Sequence, residues 1–439
     1  VFAYSNSAVP SGDAGLDEER SLVIYHNRFA SVRGWINRSV AYSVVAGGDG
    51  ERTLTQRTLG EGLGLRPTAG TYYTFRDHIT GLEYIRSGRE LWEQGLYVEL
   101  DAYKCHVFLN WREVQDNEWG QYAHLNAYLG GRGVPSIEEA LREVFLQPIH
   151  QPFRELVNTD TLRRLINARE TKPGRQPDAA LLDEIEQRVS DLLREIRDFV
   201  SDPEDGDADV AETAHEIRRK LEVCLLLPGL GISDKDPRLQ RYCNVIEAVQ
   251  VHLDQDLAAW GTLCGWVFTH ALGKAVDEQG FAARTRSWMD EWLLGKLVTA
   301  ALQDFDLDGD AAAWAVASIK ILISHQGWHR LETSGTEQAY SVLASWLKDS
   351  EVQQFLQVNR HAGVLWFNHE AFSQLLNWML TLATVEVLAD PKLSSEDASQ
   401  EIARCYEVVQ ALKDAEETSE YQVAKLVEAS RREIKPTKR

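Results

Sequence analysis

Hydrophobic and polar residues follow two different periods along this chain. Up to about residue 115 the period is two, the signature of strands with one covered face. Leu96, Val98 and Leu100 alternate with Tyr97, Glu99 and Asp101, which sets the acids on a wet face. Val40, Tyr42 and Val44 alternate with Ala41, Ser43 and Val45, and Cys105, Val107 and Leu109 continue the pattern after a turn near Asp101. Leu22-Val23-Ile24-Tyr25 is a short apolar run suited to a strand covered on both faces. Gly47-Gly48-Asp49-Gly50 reads as a turn. So does Gly60-Glu61-Gly62-Leu63-Gly64, which lacks the spacing and following helix of a dinucleotide loop. Short strands with glycine-rich breaks predict an antiparallel β-sandwich over residues 1–115; a partly open sheet packed on a neighbour is the alternative.

Beyond that point the period lengthens to that of a helix. Gly130-Gly131-Arg132-Gly133-Val134-Pro135 reads as a joint, and Ser136 with Glu139 forms an S-x-x-E capping box. Residues 116–202 are read as a linker and first helices, and 203–439 as an all-α domain. Leu181, Ile185, Val189, Leu192, Ile196 and Phe199 form one apolar stripe, opposite Glu184, Arg188, Asp191 and Arg194. Pro203-Glu204-Asp205-Gly206-Asp207 is an acidic hinge. A helix over 211–227 stops at Pro228-Gly229, and further helices are expected over 238–275, 281–303, 310–325, 336–358, 369–389, 396–414 and 418–432. The basic end, Arg431 to Arg439, reads as frayed. No repeat of 33 to 47 residues is evident, which argues against a solenoid.

Composition narrows the function classes. A net charge of −21 without a large Lys/Arg block disfavours nucleic acid and anionic membranes as partners. No uninterrupted apolar run approaches the roughly 18 residues that span a bilayer. Cys105, Cys224, Cys243, Cys264 and Cys405 are scattered and odd in number, so reduced, buried thiols in a cytoplasm are expected rather than a disulfide framework or zinc knot. The chain starts at Val1 with no methionine before Met289, which reads as a cut or processed start.

Candidate chemistry is sparse. Asp304-Phe305-Asp306-Leu307-Asp308-Gly309-Asp310 begins like a calcium loop, but the closing position that needs a bidentate carboxylate is Ala315, so a plain interhelical turn is expected. His325 and His329 sit four apart, a spacing compatible with two ligands to one metal, but Gly327 between them argues that the helix is ending. His361, His369 and Glu370 cluster in sequence, yet Asn368 and Glu370 are better explained as an N-cap and a first-turn acid. Nine of the thirteen tryptophans fall in the helical part, where helical spacing favours core. Trp35, Trp92, Trp111 and Trp119, on or near the strands, are the better candidates to stack on the apolar C–H faces of sugars. P-loop, nucleophile-elbow and kinase motifs are all missing, and no cofactor is expected.

Val1-Phe2-Ala3-Tyr4 leading into Arg20-Ser21-Leu22-Val23-Ile24-Tyr25-His26-Asn27-Arg28 resembles the first strands of the C-terminal β-domain of α-amylase-family enzymes. The run from Phe75-Arg76-Asp77-His78-Ile79-Thr80-Gly81 through Gly88, with Gly95–Tyr103 and Val107-Phe108, is similar to the tail of large bacterial amylase-like proteins. There the β-domain follows a catalytic (β/α)8 barrel and a helical extension follows it; Gly130 to Leu141 fits that extension. The family's Asp nucleophile, Glu acid/base and third Asp lie on barrel strands, and no segment here matches them, so the resemblance carries over no catalytic residue.

The expectation is therefore a non-catalytic C-terminal part of such an enzyme, packing on an upstream barrel and touching α-glucan through exposed aromatics, with long helices that stabilise or oligomerise it. Two other classes stay open at this level. One is a helical interaction or scaffold module with no carbohydrate role. The other is an independent enzyme with a site around His325, His329, His361 and Glu370.

Overall fold

Strand β2 (Arg20–Tyr25) buries Arg20, Leu22 and Ile24 and leaves the residues between them half-buried, so its alternation marks the inner face of a sheet. It pairs antiparallel with β1 (Phe2–Ser7) and with the long β9 (Cys105–Gln115). Strand β6 (Thr71–Asp77) flanks β9 on the other side, and β7 (Glu83–Ser87) closes a five-stranded antiparallel sheet of order β1-β2-β9-β6-β7. A computed structural model describes residues 1–7, 19–46, 51–117, 120–170, 172, 176–200, 210–230, 240–254, 257–331 and 335–431. The glycine-rich stretch 47–50, Trp119, the acidic hinge and the basic end after Arg431 lie outside these residues.

The inner face of the sheet meets a two-stranded ribbon, β3 (Val32–Ile36) paired with β8 (Leu96–Leu100), and two short helices, α1 (Leu59–Leu63) and α2 (Gly88–Glu93). Leu22, Ile24, Phe75, Phe108 and Trp111 of the sheet share one core with Leu96, Val98 and Leu100 of the ribbon and Leu63 and Leu91 of the helices. A further hairpin joins β4 (Tyr42–Ala46) to β5 (Glu51–Thr55). The glycine stretch 60–64, expected to be a turn, is α1. Thr58 and Glu61 form its capping box, and Gly64 ends it at φ 63°. Gly60 lets α1 lie against Trp92, where a Cβ would come 2.5 Å from the indole.

Helices α3 (Gln121–Leu129) and α4 (Ile137–Phe145) cover Ile85 of β7 with Leu125, Leu129, Ile137 and Ala140. The chain divides into two compact units, Val1–Gln147 and Pro148–Arg439, so of the helices expected over 116–202 only α3 and α4 belong with the sheet. Gly130–Pro135 does not separate units either. Val134 bridges to Glu83 of β7, and Glu83 accepts the backbone N–H of Ile137 at 2.9 Å while Ser136 caps Glu139.

The second unit is helical: α5 (Gln147–Leu156), α6 (Thr159–Asn167), α7 (Ala179–Val200), α8 (Val210–Leu226), α9 (Gln240–Leu253), α10 (Leu257–Thr269), α11 (Phe281–Glu291), α12 (Leu294–Asp304), α13 (Gly309–Ser324), α14 (Gly335–Trp346), α15 (Ser350–Phe355), α16 (His369–Leu388), α17 (Ser395–Thr418) and α18 (Val423–Ala429). The stripe from Leu181 to Ile196 is buried on α7 as expected. The single helix expected over 281–303 breaks in two at Leu293, which takes a left-handed φ of 56°. The one expected over 336–358 breaks where Asp349 caps α15. Between α15 and α16 lies a hairpin the periodicity missed, β10 (Asn359–His361) and β11 (Val364–Trp366). The acidic stretch 304–310 is the turn from α12 to α13, with Asp308 as N-cap of α13. Helix α16 is long and apolar enough by composition to cross a membrane, although no uninterrupted apolar run is; 78% of its most apolar window is buried in the helical unit.

Candidate functional site

The alternation of β9 sets the chemistry of the sheet unit, and it differs from the expected one. Phe108 and Trp111 are the buried residues, three apart rather than two. A β-bulge explains this: Asn110 sits at φ 55°, and the register with β6 slips between Thr74 and Arg76. The bulge turns both aromatics toward Phe75, which stacks on Trp111 at 4.1 Å and meets Phe108 edge-on at 5.2 Å. Trp111 is only 5% exposed, and its Nε1 donates to the Phe108 carbonyl. It is a core residue, and the expectation that it offers an open sugar platform is corrected. Trp92 is half-buried over Gly60, so α1 occupies that ring.

Trp35 is different. It stands on the outer side of β3, 46% exposed, directly across the ribbon from Tyr97, which is 38% exposed. Their rings meet edge-on at 5.4 Å, a favourable aromatic geometry that leaves apolar faces free. The Tyr97 hydroxyl donates to Glu99 at 3.0 Å, and that bond pushes the tyrosine's pKa up.

Both rings line a cleft of about 910 Å³ with Tyr84, Arg86, Glu90 and His106. His106 is held from behind: its Nδ1 lies 2.9 Å from Oδ2 of Asp77, a carboxylate with no exposed surface. Burial alone would raise the Asp77 pKa. Donation from His106, the Val107 and Ile79 amides and the Thr80 hydroxyl outweighs burial and holds it below the usual range. Asp77 opens the turn of the β6–β7 hairpin, which Gly81 completes at φ 75°. The run Asp77-His78-Ile79-Thr80-Gly81 is thus a hairpin turn whose first side chain orients an imidazole in the cleft.

Arg86 forms part of the wall. Its guanidinium donates to the carbonyls of Ile85 and Gly131, both at 2.7 Å, and lies beside the Tyr84 ring. Gly131 (φ 90°) and Gly133 allow this loop to lie flat, since a Cβ at Gly133 would come 2.7 Å from Tyr84. The cleft thus combines two accessible rings with a fixed imidazole, a guanidinium and carboxylates, a mixture suited to a neutral, hydroxyl-rich ligand. Sequence reasoning found Trp35 but missed Tyr97, His106 and Arg86. The period-two pattern already put Tyr97 outside with Glu99, but nothing local links Asp77 to His106.

The histidines of the helical unit are dispersed. Helix α13 ends at Ser324, so His325 and His329 share no helix face; Gly327 turns the chain at φ 67° between them. His325 Nε2 pairs with Asp349 at 3.0 Å, whereas Nδ1 of His329 lies 3.3 Å from Glu386. The two rings face different carboxylates, so these two candidate ligands do not converge. Among the described residues no group of three His, Cys, Asp or Glu side chains has a metal-holding arrangement. His361 is exposed on β10, and His369 pairs with buried Glu416 rather than with Glu370, so these residues do not assemble one site. Asn368 caps α16 as expected. Comparisons with protein-family models, with characterised proteins and with solved structures find nothing that matches this chain.

Proposed function

We propose that this chain is a non-catalytic part of an α-amylase-family glycoside hydrolase or glucanotransferase, and that its sheet unit holds α-glucan in the cleft beside Trp35. The sheet unit is read as the amylase-type C-terminal β-domain, and the helical unit as a stabilising or oligomerising extension. A separate catalytic barrel performs the chemistry. The strand motifs of the first third support the family assignment. The observation that carries the binding role is the exposed Trp35–Tyr97 pair beside an imidazole fixed by a buried carboxylate. Each ring offers an apolar face to a sugar, and His106, Arg86 and Glu90 offer donors and acceptors to its hydroxyls.

Titration of the full chain with maltoheptaose and soluble starch, followed by tryptophan fluorescence and calorimetry, tests this. Saturable binding is expected, with cellohexaose much weaker, and Trp35→Ala should lose about tenfold in affinity. Equal binding by the Trp35→Ala protein, or no binding by the parent chain, would refute the glucan role. Hydrolysis of the oligosaccharides by purified chain would refute the non-catalytic assignment.

A further inference from the structure

Four donors converge on Asp77, whose carboxylate has no exposed surface. The amides of Ile79 and Val107 reach Oδ1, each at 3.1 Å. The Thr80 hydroxyl reaches Oδ2 at 2.8 Å, and Nδ1 of His106 lies 2.9 Å from the same oxygen. The two amides can only donate, and together the four contacts keep the carboxyl ionised, a group that can only accept. In a neutral His106 ring the proton therefore sits on Nδ1, and Nε2 keeps its lone pair. The imidazole also stacks on Phe108, with centroids 5.2 Å apart and planes 15° apart. Asp77 fixes one edge of the ring and Phe108 its plane.

The opposite edge of the ring is left to the cleft. His106 lines it with a side chain 20% exposed, and among the described residues Nε2 meets no hydrogen-bonding group of the protein. The ionic groups of the wall are even in number, Arg86 and Arg132 against Glu90 and Glu99. Both guanidiniums are anchored on backbone carbonyls, Arg86 on Ile85 and Gly131, and Arg132 on Tyr128 and Leu129. What remains open to a ligand is rich in acceptors: Nε2 and the two carboxylates. A neutral ligand must then bring the donors. We propose that Asp77 is a positioning residue that holds His106 as the Nδ1–H tautomer, so that Nε2 is a fixed acceptor and the cleft selects glucan with free hydroxyls over glucan whose hydroxyls are capped as ethers. An ether oxygen has no proton to give, and against a bare nitrogen it sets lone pair against lone pair. This inference rests on the glucan reading of the cleft and adds to it the polarity of one contact and the buried residue that sets it.

Two measurements on the full chain test it. The first is ligand-free: long-range nitrogen–proton NMR of the histidine rings, taken where His106 is neutral and assigned by the signals that vanish in His106→Gln. The parent should show Nδ1 protonated and Nε2 bare. In Asp77→Asn the new amide donates to Nδ1, so the proton should move to Nε2 and the two nitrogen shifts should exchange. A purely structural Asp77 would lower the melting temperature and leave the tautomer alone, and that result overturns the proposal. The second is calorimetric titration with β-cyclodextrin, a ring of α-linked glucose, and with its permethylated form. The parent should prefer the free hydroxyls by about tenfold, and Asp77→Asn should lose most of that preference because Nε2–H can donate to an ether. If Asp77→Asn does not fold, the tautomer and the preference of the parent chain still decide. An Nε2–H tautomer in the parent, or equal affinity for the two rings, strikes this inference alone. No binding of β-cyclodextrin or maltoheptaose, with the Nδ1–H tautomer present, removes the glucan reading and the selectivity with it.

Discussion

Trp35 and Trp111 are the same side chain within one folding unit, and their surroundings give them opposite roles. Trp111 is packed between Phe75 and the Phe108 carbonyl. Truncation there opens a cavity in a dense core, so Trp111→Ala should cost about 3–5 kcal/mol. Trp35 loses only the edge contact with Tyr97, and Trp35→Ala should cost about 1 kcal/mol or less. Urea unfolding of the two variants checks the difference; equal losses would mean that the assignment of core and cleft is wrong. The residues around each tryptophan could not announce this. A strict alternation through Cys105, Val107 and Leu109 assigns faces wrongly, because Phe108 between them is the buried residue, and the bulge at Asn110 then changes phase before Trp111. A bulge depends on the partner strand, which the local sequence does not contain.

At the scale of elements, helix α8 carries a buried charge cluster that its amphipathic pattern concealed. Lys220 on α8 is 5% exposed and donates to Glu216 Oε1 at 2.8 Å, with His270 Nε2 also at 2.8 Å and the Trp266 ring beneath it. Lys274 reaches the other Glu216 oxygen at 2.7 Å. His270, fully buried, has Nδ1 at 2.9 Å from the Val267 carbonyl, an arrangement that assigns the proton to Nδ1 and makes Nε2 the acceptor for Lys220. These four residues tie α8 to the end of α10 and the turn after it. Lys220→Ala would leave His270 without its donor and Glu216 with Lys274 as its one lysine partner. Because Glu216 keeps one partner, the expected cost is about 3 kcal/mol, near the low end for breaking a buried pair; a thermal melt showing no loss would dismiss the cluster as a stabilising element. From the sequence the long stripes of α7 and α16 were legible because their apolar spacing is continuous. The break at Leu293 was not, since neither Gly nor Pro marks it. Neither was the pairing of Lys220 with His270, which are 50 residues apart. The His369–Glu416 pair was hidden for the same reason, separated by 47 residues.

For the whole molecule, the two units answer differently to acid. In the helical unit His270, His325 and His329 all have pKa values below the usual 6.5, and burial is the leading cause in each. Each is more easily protonated unfolded than folded, so the stability it permits is complete above about pH 6.5 and is lost as pH falls beneath it. Glu216, held low because its lysine and histidine partners outweigh burial, loses its contribution only further down, below the ordinary carboxylate range. In the sheet unit Asp77 is also lowered and so acts only below about pH 4. The tyrosines shifted there move upward, away from this window. Between pH 6.5 and 5, therefore, protonation should weaken residues 148–439 and leave residues 1–147 nearly unchanged. Scanning calorimetry at pH 7 and pH 5, with Trp111→Ala marking the transition of the sheet unit, should find the helical transition lowered in temperature and the other almost fixed. A uniform shift of both would show that the buried histidines do not control acid stability. His270→Gln should then flatten part of the pH dependence of the helical transition alone, since a neutral amide keeps an acceptor near Lys220 but has no proton to gain.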